Sequence, residues 1–221
     1  MLNKSYVRSY FILLIGLILN GLGVSLITKA SLGTSPISSI PYVLSLIFTK
    51  ISLGKFTIIF SCLLIALQMI LLGEKFPIQS LLQFPVSILF GVFIDGGMYL
   101  LSNFNPDNIV LCFGSLLVGC LVLGLGVYLE VIANVVMLPG EAFVKAVNIR
   151  FHTEFGITKI CFDTTMTVMA GAIACIVSHQ LQGVGIGTLV AALVVGYVAR
   201  WMGQFESLKY YLVGQPVLEE A

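Results

Sequence analysis

An all-α, polytopic helical membrane bundle built from two tandem repeats is the fold class this 221-residue sequence predicts, and three observations predict it. Hydrophobic residues make up 58% of the chain and charged ones 10%, where a soluble domain carries about 25% charged residues and could not cover so much apolar surface. The apolar residues gather into runs of about 20, the length that crosses ~30 Å of hydrocarbon as a helix, and they do not alternate with polar ones as barrel strands do. Finally, GLGVSLITKASLGTSP at 21–36 returns as GLGVYLEVIANVVMLP at 124–139 with seven of sixteen positions identical, where chance gives about one or two.

The runs predict six full spans, at 10–26, 56–72, 80–101, 109–129, 160–178 and 183–201. Lys4 and Arg8 ahead of the first run imitate a secretory signal, but no A-x-A cleavage site follows, and the same pattern recurs internally, so a retained span is expected. After Pro36 comes a short helical run, ISSIPYVLSLIF, and after Pro139 another, GEAFVKAVNIRF; each precedes a polar turn with a lysine, Lys55 or Lys159. Each half therefore reads as span, short broken helix, span, span: repeat 1 over about 8–101 and repeat 2 over about 109–204, joined by the polar SNFNPDN at 102–108 within one membrane domain, 1–221. Gly91 aligns with Gly196, which sets Asp95 opposite Arg200 as structural charges: a bridge between the repeats, or two groups near the span ends with Arg200 snorkelling.

A 13-residue run such as 36–48 makes a helix of only ~20 Å, too short to cross alone. If the short helices cross, there are eight crossings and parallel repeats; if they re-enter, the repeats are inverted. Lys and Arg favour the cytoplasm. With the N-terminus inside, crossing places Lys4, Arg8, Lys50, Lys55, Arg150, Lys159, Arg200 and Lys209 inside and chiefly Lys75 outside, whereas re-entry exchanges Lys50 and Lys55 for Lys75. The margin is narrow and favours crossing. Both arrangements put the two termini in the cytoplasm.

Non-helical chain at membrane depth survives only where protein or water satisfies its amides. KASLGTSP is poor helix material, and the residue before Pro36 is pushed out of the α region. Pro36 and Pro139 suit the first position of a new helix, with Ser35 as N-cap of the first and Glu141 at the third position of the second. A broken helix written twice is the best pointer to a transporter's binding site, although a kink that only redirects the chain is the plainer alternative. The candidate substrate-binding residues are Ser35, Pro36, Ser38, Ser39, Pro139, Glu141, Lys145 and Asp163. Glu141 and Lys145, four apart, either line a polar path or neutralise one another. Rows of small residues, Gly183/Gly187/Ala191, Ala192/Gly196 and Ala170/Ala174/Ser178, predict close helix packing.

Enzyme motifs such as H-E-x-x-H, G-x-S-x-G and G-x-x-x-x-G-K do not occur, and the five cysteines lie singly in apolar runs. No catalytic residue, cofactor or metal ligand is therefore predicted. A net charge of +1 argues against nucleic acid as a partner.

The pattern G-x-G-x-x-L-x-x-x-A-x-L-G-x-x-P-x-x-S, carried by Gly21, Gly23, Leu26, Ala30, Leu32, Gly33, Pro36 and Ser39, resembles the YczE/YitT-like bacterial integral membrane proteins. The closing GVGIGTLVAALVVG is similar to that family's Gly-Thr segment, and the chain stops soon after Trp201, as in the YczE-type branch without a soluble C-terminal domain. The resemblance implies a multi-pass protein of the bacterial plasma membrane and supplies no functional residue. Two functions lead, ahead of a third, an intramembrane enzyme that would have to assemble a dyad from distant spans. One is a small-molecule transporter for a small polar or zwitterionic solute. The other is an accessory or scaffold protein for a membrane partner or a second copy of the chain.

Overall fold

The computed structural model describes residues 4–203, which form eight α-helices and no strand. They are α1 (Lys4–Lys29), α2 (Ser39–Ile47), α3 (Leu53–Leu72), α4 (Gln83–Leu100), α5 (Ile109–Ala133), α6 (Pro139–Phe151), α7 (Phe155–Ser178) and α8 (Ile186–Gly203). A single 3-10 turn, Pro36–Ser38, leads into α2, so the chain stops being helical after Lys29 and restarts at the first proline; the second restart is at Pro139. Lys209 lies outside the described residues.

Five segments are long and apolar enough to cross a membrane: Val7–Lys29, Leu53–Lys75, Ile78–Leu100, Ile109–Ala133 and Phe155–Ser178. The sixth expected span is shorter than its apolar run. Gly183 sits at φ 76° in a turn and the helix begins only at Ile186, leaving the apolar stretch Ile186–Met202, about 25 Å of helix. Large apolar side chains such as Ile70, Ile176 and Leu193 are at least three-quarters exposed around the bundle. That inside-out surface is what a lipid-embedded protein presents and a soluble one cannot sustain.

The helices sort into two groups around two apolar clusters. Residues of α1, α4, α5 and α8, among them Leu17, Ile94, Leu116 and Ala191, fill one cluster. Residues of α2, α3, α6 and α7, among them Val43, Leu64, Val144 and Ala170, fill the other. Ala170 and Ala174 of the predicted small-residue row are fully buried against this second cluster, on the face of α7 that meets α2.

Close glycine contacts reveal the helix directions. Side-chain space at Gly16 is occupied by Gly126 and Glu130, at Gly23 by Leu123, and at Gly119 by Ile27. Position rises along α1 as it falls along α5, so these two are antiparallel. Gly21 lies on Phe93 and Gly97 on Ser25, which makes α4 parallel to α1. Ser39 hydrogen-bonds Met166 at the midpoint of α7, while Tyr42, Val43 and Leu46 lie against Gly183 beyond its end. The short helix α2 thus starts in the middle of the bundle and runs back to the face at which α1 ended. From there α3 departs, its Gly54 against Asp95 near the end of α4.

Relative to the bundle, α2 returns to the side at which α1 ended, whereas the loop charges favour a path that crosses. The charge argument turned on Lys50, Lys55 and Lys75 alone, and so small a bias gives way to backbone geometry. A chain of nine helical residues behind one 3-10 turn has no means of reaching the opposite face.

Candidate functional site

The two breaks are held by different chemistry. At the first, Ser31 and Gly33 take φ values of 57° and 124°. The Thr34 N–H donates to Thr188 Oγ1 at 3.3 Å, Thr28 and Thr34 hydroxyls share a hydrogen at 3.2 Å, and Gly187 N–H donates to Leu32 O at 2.8 Å. The approach at Gly187 requires glycine, because a Cβ there would stand 2.7 Å from the Leu32 carbonyl oxygen. At the second break, the carboxylate of Glu130, buried in α5, accepts the Leu138 N–H immediately ahead of Pro139 and the Asn20 side-chain N–H of α1 at 3.1 Å. Each break thereby has a buried polar partner for the amide that helix would otherwise have satisfied.

The tips of the two short helices meet, with Ile37 packed on Gly140. Beside that meeting point lies a cavity of about 590 Å³ between the two helix groups. Its wall is mostly apolar, from Val24, Phe60, Phe90, Leu123 and Val127, and carries hydroxyls of Ser35, Ser38, Thr57, Ser61, Thr167 and Thr188. Glu141, Lys159 and Asp163 supply its charges. Lys159 Nζ pairs with Asp163 Oδ1 at 2.8 Å. Glu141 makes no hydrogen bond or ion pair among the described residues, although Lys159, Asp163 and Glu130 stand near enough to interact with its charge.

Of the candidate residues, Ser35, Pro36, Ser38, Pro139, Glu141 and Asp163 line this one cavity. Ser39 does not. It is buried behind the wall, its hydroxyl bonded to Pro36 O at 2.6 Å and Met166 O at 3.2 Å, and it anchors the re-entrant helix. Lys145 is on the outside, beside Asn148 and Phe155 in a shallow open groove. The expected Glu141–Lys145 pair does not form, because the bundle turns the two side chains to different surroundings and brings Lys159 to the acid instead. Ser35 precedes the turn with extended backbone but makes no capping bond; its hydroxyl donates to Ser38 Oγ at 3.0 Å.

Asp95 and Arg200 do not bridge the halves. Asp95 accepts from Ser52 Oγ at 2.6 Å and the Gly54 N–H at 2.8 Å, satisfying one of the free amides at the start of α3, while Arg200 is exposed on α8. Nor do Ala192 and Gly196 pack against a helix. Both line the cavity, and nothing stands within 4 Å of a Cβ at Gly196.

Sequence reasoning missed Asn20, Glu130 and Lys159 as site residues. Glu130 stood inside the repeated motif as its one acid, four residues past Gly23's counterpart Gly126 at a depth where charge is costly. That was signal enough to find it.

Fold and site together define a class: a helical membrane bundle with two interrupted helices converging on an internal cavity. Within that class the chain belongs to DUF6198, described as a family of unknown function, whose model matches residues 7–204. The family match carries no YczE or YitT designation, and no curated protein or solved structure matches the chain.

Proposed function

We propose that this protein is a small-molecule transporter of the bacterial plasma membrane whose two halves are inverted repeats enclosing the cavity. The observation that carries the reading is that both broken helices end in contact, Ile37 on Gly140, at a cavity holding charged and hydroxyl groups between two helix groups.

The contacts recur across the halves. Gly16 against Leu129 matches Gly119 against Leu26; Gly23 against Leu123 matches Gly126 against Asn20; Gly21 against Phe93 matches Gly124 against Val198. The first two exchange under the 103-residue spacing of the repeated motif, and the third when Phe93 is matched to Val198 at the 105-residue spacing that also matches Gly91 to Gly196, as a twofold axis requires. Because α1 and α5 are antiparallel, that axis lies in the plane of the membrane. Ile37 and Gly140 are themselves counterparts under the shift, so their contact falls on the axis. Two-fold-related halves have two equivalent arrangements open to opposite faces, which is the structural basis of alternating access. Rocking of α1, α4, α5 and α8 against α2, α3, α6 and α7 would expose the cavity to each side in turn, with both termini cytoplasmic. No catalytic role is part of this reading.

The test is solute flux into proteoliposomes containing the purified protein. Flux well above protein-free vesicles, lowered at least about tenfold in Glu141→Gln with the variant still monodisperse, is the expected result. Flux equal to empty vesicles across amine, amino-acid and sugar solutes would contradict it and favour an accessory role.

A further inference from the structure

The two halves differ in one place that bears on what the cavity takes. In the first half, α3 and α4 close on each other, with Gly54 jammed against Gly91 and Asp95, and Gly91 against Ile58. The counterpart of Gly91 is Gly196, and there the space is empty. The matching helices α7 and α8 form no comparable packed pair. Cavity-lining residues therefore continue outward between them, through Thr164 and Val168 of α7 and Ala192, Leu193 and Gly196 of α8, all exposed. The cavity has a side opening on the flank that faces lipid.

Charge at the inner end is unbalanced. Lys159 is taken by Asp163, which leaves the Glu141 carboxylate without a direct partner. Asn20 is committed to the α1–α5 seam, its Nδ2 on Glu130 and its Oδ1 against Gly126, so Glu141 is the acid of the wall left for a ligand. A buried carboxylate without a cation is costly. An ammonium supplies what it lacks, with N–H donors and a positive charge. The apolar walls suit a hydrocarbon body attached to it.

Resting on the transporter reading, we propose that the substrate is an amphiphilic organic ammonium that enters from the bilayer between α7 and α8 and places its charged head against Glu141. The mixed charges alone would suit a zwitterion, but the one lysine is already paired, so a carboxylate on the ligand finds no free cation in the cavity.

The test is saturable binding to the protein in lipid nanodiscs of radiolabelled 4-phenylbutylamine, a cation at neutral pH, against 4-phenylbutyrate, an anion of similar body. The amine is expected to bind saturably and the acid not to. Glu141→Gln should weaken the amine at least about tenfold. Gly196→Phe, whose Cβ meets no neighbouring atom within 4 Å, should slow association at least about tenfold in protein that elutes as wild type. Equal binding of the acid would overturn the assigned charge, and an unchanged association rate in Gly196→Phe would overturn the side entry. Amine binding without flux in proteoliposomes would keep this site and remove the transport function. Flux of another solute by a protein that does not bind the amine would do the reverse.

Discussion

Single residues decide whether the interruptions can exist at all. Glu130 is an acid in the middle of an apolar helix, and its position is explained by what it holds: the amide of Leu138 and the side chain of Asn20. The first half has Ile27 at the matching place and relies on the hydroxyls of Thr28, Thr34 and Thr188 instead. Replacing Glu130 with Ala strands a buried N–H at each of these two groups, at about 1–3 kcal/mol apiece. Thermal unfolding in detergent should show Glu130→Ala falling by several degrees, while Glu130→Gln, which keeps an acceptor for Leu138, loses clearly less. Equal midpoints for wild type and Glu130→Ala would show that the second break is held by something else.

Among the elements, the crossing of α1 and α5 carries the most demanding packing, and its glycines are not interchangeable with others in the chain. A Cβ at Gly23 would stand 2.6 Å from the Leu123 nitrogen, and one at Gly126 would meet the backbone of Asn20 at 2.8 Å. Helix separation would have to widen, and in lipid no hydrophobic gain offsets the lost contact. Gly126→Val should therefore abolish a monodisperse peak in size-exclusion chromatography, whereas Gly96→Ala and Gly114→Ala, whose Cβ atoms meet nothing within 4 Å, should elute as wild type. The elements were largely legible in the sequence. Run length gave the spans, and Pro36 and Pro139 gave the restarts, because proline acts on the local backbone. What was not legible was pairing across elements. Lys159 pairs with Asp163 one turn along the same helix, but it comes into the neighbourhood of Glu141 only because α6 and α7 fold against each other, and Lys145 points away for the same reason. Gly91 and Gly196 look equivalent in sequence, yet one is packed and the other open, since the difference lies in how α7 sits beside α8.

At the scale of the whole molecule, the proposed inverted repeats require the two short helices to enter from opposite faces. An N-terminal tag and a cysteine placed at Lys55 should consequently be labelled from opposite sides of the membrane; labelling from the same side would restore the eight-crossing arrangement that the loop charges suggested. The proposed transport account stands or falls on the cavity at the touching tips being a water-reachable compartment shared by both helix groups. The most direct measurement is thiol reactivity at Ser61, a buried cavity-lining position on α3, in a chain whose five native cysteines are replaced. Ser61→Cys should react with a charged methanethiosulfonate reagent and be protected by bound 4-phenylbutylamine. A thiol there as inert as one placed at lipid-facing Ile70 would contradict the account.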